Sequence, residues 1–330
     1  MSEKVKRIPW IDIGKGIGII LVIAGHTFTE GQFYVWLNSF HMPLFFLLAG
    51  ILCDPYNRNI KFDVHKKLIN FVVPFILFLG VQFVFWILVD HNYHAFNMGP
   101  IWFLLGIFGV EIIAVETIKI TENLKFGIPV ACIIYAGVHA CVTELSGNWL
   151  MIRPLLIALG GVVFYMFGTM LHALIFQNKF DESVNKKKSL SLCFVALIGL
   201  LSFWTANQNG IVNIYKNTYH NYGWFYFNAL TGSLFVIGVS IILWHNTLLE
   251  FFGRNTIIIL GTHNQVKLVI MVALGRIFDV PVNILRNSAG GGTATIVLTL
   301  AVEVLIIYVF RIIKKHLKNT KVDSYIRFVR

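Results

Sequence analysis

The sequence predicts an all-α, polytopic integral membrane protein of about ten transmembrane helices with both termini cytoplasmic. Three observations predict it. The 330 residues are 57% hydrophobic and 13% charged, with a mean hydropathy of +0.73, far more apolar than a soluble domain. Their apolar residues come in runs of about 20, the length that crosses the hydrocarbon layer of a bilayer. Most of the 27 Lys and Arg fall in alternate connections between those runs, as they do in cytoplasmic loops.

The runs lie at about residues 10–28, 36–53, 71–90, 101–118, 126–143, 151–176, 189–206, 224–245, 255–276 and 294–316. One side collects the N-terminal Lys4, Lys6 and Arg7, the 54–70 connection with Arg58, Lys61, Lys66 and Lys67, and the connections holding Lys119, Lys125, Lys179 and Lys186 to Lys188. Arg254 and the basic tail from Arg311 onward join them. Only Lys216, Arg276 and Arg286 face the other side, while Lys15, Arg153 and Lys267 lie in or at the edge of runs. This asymmetry places both termini in the cytoplasm.

The first run follows MSEKVKR and so resembles a signal peptide, but its polar interruptions and the lack of an A-x-A-like site indicate a retained helix. No connection is long enough for a second domain; the longest, about residues 207–223, is polar and rich in Asn and aromatics. Residues 1–330 therefore read as a single transmembrane domain. The sixth run has no counterpart to the polar residues of the first, so no inverted repeat of five plus five spans is visible. The net charge of +11 sits in short loop clusters, which accounts for membrane orientation and leaves nucleic acid without support. Cys53, Cys132, Cys141 and Cys193 lie within or at the ends of apolar runs without C-x-x-C spacing, so neither a disulfide framework nor a metal site is expected.

The first run is the most informative. It contains Asp12, Lys15 and His26, although an Asp or Lys at a helix centre costs roughly 2.5 to 3.5 kcal/mol on insertion scales. At about 100° per residue, Lys15 lies within about 20° of His26 and Asp12 within about 40°, so the three form one stripe about 21 Å long. Such a stripe faces a partner, a ligand or a water-filled cavity. The local alternative for Asp12 and Lys15 is an i,i+3 ion pair. In the second run His41 stands near the outer end beside Pro43, and His26 and His41 flank one short outer connection.

Further along, Arg153 opens the sixth run on the outer side, where it either snorkels or binds an acceptor. Trp102 stands at the same level, suited to an aromatic belt with Trp149 and Trp224 or to a substrate. His263 and Lys267, at i,i+4, share a face of the ninth run. Glu111 and Glu303 are expected to neutralise Lys267 or Arg153, and Gly160, Gly161 and Gly168 to mark close helix packing.

These residues resemble a family. D-x-x-K-G-I at 12–17, the spacing of Lys15 to His26, the F-H-M-P-L-F-F run with A-G at 40–50, I-W-F-L at 101–104 and G-R-N-T ahead of His263 are similar to the membrane acyltransferase-3 family, in its fucose 4-O-acetylase-like branch. The resemblance implies a multi-pass enzyme of a cell membrane, bacterial in type. It would move an acyl group, usually acetyl, from cytoplasmic acetyl-CoA to a hydroxyl of a cell-surface or lipid-linked sugar or polysaccharide. Where the family commonly has Arg before the histidine, this chain has Lys15, which keeps the charge and loses the bidentate fork. Members with an extracytoplasmic hydrolase-like domain exist; this chain is expected to act without that relay.

The chemistry agrees with the resemblance. Moving an acyl group from a thioester to an alcohol needs a base for the hydroxyl proton, and histidine is the usual base near neutral pH. His26 is the first candidate, as base or acyl carrier, with His41 and Asp12 as catalytic partners. Lys15, His263 and Lys267 are candidates to hold the donor, and Arg153 and Trp102 to hold the acceptor. The expected partners are acyl-CoA, a sugar acceptor and the bilayer; oligomeric state has no signature in the sequence. A secondary transporter or flippase with intramembrane charges is the alternative, and broken helices in matching halves would mark it.

Overall fold

The ten apolar runs fold into ten helices long and apolar enough to cross a membrane. The computed structural model describes residues 7–56, 63–90, 98–146, 153–177, 188–318, 325–326 and 328–329, and contains no strand among them. Helix α1 spans Pro9–Thr27 and opens with a proline in its first turn, where a missing N–H costs nothing. Helix α2 spans Gln32–Ile51 and starts four residues before the expected run, because Gly31, at φ 90°, makes the turn that an L side chain would strain. The third span, α3, begins as Val64–Lys67, passes through a π-helical turn at Leu68–Val72 and continues as Val73–Asp90.

A short 3-10 turn, Gly99–Ile101, leads into α4, Trp102–Ile120. Then follow α5 (Leu124–Ser146), α6 (Arg153–His172), α7 (Lys188–Asn209) and α8 (Tyr222–Leu243). Between α8 and the ninth span lies α9, Thr247–Arg254, a short helix where the sequence suggested a loop. Trp244 ends α8 with φ 54°, and the Asn246 side chain accepts from Leu249 N to start α9. The last elements are α10 (Thr256–Phe278), the short α11 (Val282–Asn287) and α12 (Ala289–Leu317). Ten crossings would leave the start of α1 and the end of α12 on one side, called the near side, and the α1–α2 connection on the other, the far side.

Burial separates centre from rim. The spans of α1, α2 and α6 are each two-thirds buried inside the protein, whereas α3, α5 and α12 are 17% buried and turn their apolar faces outward. Helix α1 packs on α2, α8, α9, α10 and α12, and α2 packs on α6, α7 and α8. Two crossings are especially close, and one of them joins α2 to α6. A methyl group at Gly50 would sit 2.0 Å from Tyr165 O, and one at Gly168 2.3 Å from Leu47 O, so each backbone needs the other's glycine. The same reciprocity joins α1 to α9: Gly16 lies against Leu249 O and Gly253 against Asp12 O. Phe328, near the end of the chain, is buried against Phe78 and Phe310.

The α2–α6 crossing gives a direct test. Gly168→Leu is expected to push the helices apart and cost about 1–3 kcal/mol or more through overpacking. Gly80→Ala, with nothing within 4 Å, is expected to be silent. Thermal unfolding of the two variants in detergent measures the difference; equal midpoints would contradict the close packing.

Candidate active site

The polar stripe of α1 serves two separate places. At the near end Asp12 is 6% exposed, and its Oδ2 accepts from Arg254 Nε at 3.2 Å. Arg254 also bonds Glu250 across one turn of α9. Through α9 the structure carries Arg254 to the foot of α1. Lys15, one turn further along, lines a cavity of about 460 Å³ together with Arg254, Lys67 and Glu111. Lys67 Nζ lies 2.5 Å from Glu111 Oε2, so that acid pairs with Lys67 rather than with Lys267.

At the far end the last turn of α1 ends in carbonyls with no partner inside the helix. Lys267 of α10 donates to His26 O at 2.8 Å and to Asn264 Oδ1 at 3.0 Å. Arg286 of α11 donates through Nε to Thr27 O at 2.9 Å and through Nη2 to His26 O at 3.3 Å. Two cations thus meet the negative end of the helix dipole. Two residues beyond the end of α1, Thr29 donates from its N and Oγ1 to Asn287 Oδ1 at 3.0 and 3.1 Å.

Three histidines converge there. The rings of His26 and His263 lie 5.4 Å apart, tilted by 43°. His263 Nδ1 is 2.7 Å from Ile259 O, and His41 Nδ1 is 2.6 Å from Leu37 O. A carbonyl oxygen only accepts, so in both rings Nδ1 carries the hydrogen and Nε2 of the neutral ring offers the lone pair. His26 and His41 line a second cavity, of about 370 Å³, with Asn38, Asn264, Trp102 and Tyr215. Asn38 donates through Nδ2 to Tyr34 O, which uses none of its acceptor oxygen, and Asn264 accepts through Oδ1 from Lys267, which uses none of its N–H groups. Met42 lines both cavities.

This placement divides the expected residues. His26, His41 and Trp102 share the far cavity, and His263 stands directly behind His26. Asp12 does not join them: it lies 14 residues from His26, about 21 Å along α1, and orients Arg254. Lys267 and His263, grouped with Lys15 as donor ligands, sit instead at the His26 end, because α10 carries them away from the near side by about 1.5 Å per residue. The side chain of Arg153 and all of Trp149 lie outside the described residues. Glu303 accepts from Thr262 Oγ1 at 2.9 and 2.8 Å, while Lys267 bonds His26 O and Asn264 instead. Sequence reasoning passed over Lys67, Arg286 and Tyr215, which were read as loop residues; only their place in the fold brings them to the cavities or to α1.

A family described as Acyltransferase domain matches residues 8–308. No curated protein and no solved structure matches the chain.

Removing the far-end hold should be felt in stability. Lys267→Met deprives His26 O and Asn264 Oδ1 of a charged donor, with an expected cost of about 1–3 kcal/mol, and Lys267→Arg should recover part of it. An unchanged unfolding midpoint for Lys267→Met would contradict the role assigned to Lys267.

Proposed function

We infer the activity from one premise: the chain belongs to the acyltransferase family whose domain spans residues 8–308. Within that family we propose an O-acyltransferase of the fucose 4-O-acetylase-like kind. It takes acetyl from acetyl-CoA on the cytoplasmic side and passes it to a hydroxyl of a cell-surface or lipid-linked sugar on the other. The observation that carries this reading is the pair of cavities that share Met42, one lined by cations and the other by histidines. The bias of Lys and Arg toward the near side makes that side cytoplasmic.

The near cavity suits the donor. Acetyl-CoA carries phosphates, and Lys15, Lys67 and Arg254 lie in or around the walls that would receive them. Lys15 meets a phosphate as a point charge, Arg254 as a planar fork. Asp12 holds that fork in place, which makes it a positioning residue for the donor. The thioester at the far tip of the donor would then lie near Met42.

The far cavity suits the chemistry. His26 takes the proton of the acceptor hydroxyl as its oxygen attacks the thioester carbonyl; the C–O bond forms, the C–S bond breaks, and CoA leaves as thiolate to be protonated. The N–H groups of Asn264 would donate to the oxyanion that develops on the carbonyl, a role its place in the cavity wall supports. His41, its Nδ1 tied to Leu37 O, presents Nε2 to the same space and orients the hydroxyl. His263 packs on His26 and fixes the tilt of its ring.

Transfer of labelled acetyl from acetyl-CoA to surface glycan in isolated membranes tests the reading. His26→Ala at matched protein level is expected to lower transfer by about 100-fold or more. Full transfer by that variant would remove His26 from the chemistry, and solute movement without any transfer would favour a transporter. Lys15→Gln is expected to raise KM for acetyl-CoA with a smaller change in kcat, the pattern of lost ground-state binding. A change confined to kcat would place Lys15 elsewhere in the reaction.

A further inference from the structure

Part of the wall of the far cavity is built by a segment with no counterpart among the ten spans. Residues 210–221 form a small hairpin between α7 and α8, closed by the antiparallel bridge of Asn213 with Thr218. Its form is fixed from both ends. Asn209, the last residue of α7, donates through Nδ2 to Tyr219 O at 3.2 Å and accepts from Asn221 N at 3.2 Å. Tyr219 is 3% exposed and plants its ring edge-on against His139, 4.8 Å away. Asn213 Oδ1 accepts from Lys216 N at 3.0 Å and tightens the tip. Positive φ values at Gly210, Asn217 and His220 turn the chain back on itself.

So anchored, the hairpin presents Asn213 and Tyr215 to the cavity. The Tyr215 ring stacks on Trp102, with centroids 5.9 Å apart and planes 29° from parallel. Trp102 comes from the start of α4, and Pro100 of the preceding turn lines the same space. Two offset aromatic rings beside amide groups are a platform for a ring-shaped ligand with an apolar face and hydroxyl edges. Asn38 offers an acceptor there and Asn264 offers donors, the complementary pair that a hydroxyl needs.

We propose that the 210–221 hairpin selects the acceptor, and that Tyr215 with Trp102 stacks an uncharged sugar ring, excluding acidic sugars from the position that is acetylated. This rests on the acyltransferase reading. Among the described residues, no Asp, Glu, Lys or Arg side chain lines the cavity. An acidic sugar would leave water there, and the nearest described cations, Lys267 and Arg286, are already engaged by the carbonyls of His26 and Thr27 and by Asn264. It would also bring its carboxylate over aromatic faces, whose quadrupole is negative. An uncharged ring meets neither penalty. Tyr215 and Trp102 are specificity residues that touch substrate, and the hairpin anchors Asn209 and Tyr219 are positioning residues.

The experiment maps the labelled acetyl made by the full chain in its own membranes, by mass spectrometry of the released glycan, and repeats the transfer with octyl glycosides and the matched octyl glycuronides. The acetyl group is expected on an uncharged residue, and glycosides are expected to exceed glycuronides by at least about tenfold in kcat/KM, the size of one aromatic contact combined with an uncompensated charge. Tyr215→Ala is expected to raise KM for the acceptor about tenfold while KM for acetyl-CoA changes little, and Tyr215→Phe, which keeps the ring, to restore it. Label on an acidic sugar residue, glycuronides used as well as glycosides, or acceptor KM unmoved in Tyr215→Ala would each overturn the proposal. The absence of any labelled glycan or glycoside in the wild type would instead fell the acyltransferase reading, and this inference with it.

Discussion

The far end of α1 is held by two cations, and the chemistry proposed for the far side depends on that hold. A helix that ends inside a membrane protein leaves carbonyls for which the hydrocarbon offers no donor. Lys267 and Arg286 bond the last of them and so fix the backbone from which His26 projects. The hold also accounts for a buried lysine in α10. Its charge is expensive in this setting, and the helix dipole, the His26 carbonyl and the Asn264 side chain offset the cost. Because the two cations come from α10 and α11, and α11 packs on α12, the place of His26 is set by the last third of the chain.

The near end of α1 is held by the opposite sign. Asp12 receives Arg254, and glycines at 16 and 253 let α9 lie directly on α1. One straight helix thus joins a cation-lined cavity to a histidine-lined one, with α2 beside it supplying His41 to the far cavity and Met42 to both. The dense α2–α6 crossing keeps that second helix from drifting. What looks in the sequence like an unaffordable row of charges is two sites, each with its own counterpart from elsewhere in the fold.

Most of the fold was legible in the sequence because span length and apolar composition are local properties. The ten runs became ten helices with shifts of a few residues at their ends, as at Gly31 and Trp244, where a positive φ sets the boundary. The helices α9 and α11 were not legible: eight and six residues are too short to stand out from a loop, and α9 declares itself only through its Asn246 cap. The site was legible by half. The angular spacing of Asp12, Lys15 and His26 follows from helix geometry, but their partners do not, since Arg254 lies 242 residues from Asp12 and Lys267 lies 241 from the carbonyl it bonds. No periodicity spans such distances, which is why Lys267 was grouped with Lys15 rather than with His26. Tyr215 was hidden for another reason: it reaches the cavity only because Asn209 and Tyr219 fold its hairpin inward.

The central claim is that donor and acceptor meet across the membrane, each from its own side of α1. The measurement that tests it most directly uses sealed proteoliposomes with a soluble, impermeant acceptor sugar trapped inside and acetyl-CoA supplied only outside. Acetylated sugar in the lumen, with CoA released outside, is the predicted result. Product formed only when donor and acceptor share one compartment would contradict the claim and collapse the two cavities into a single one-sided site.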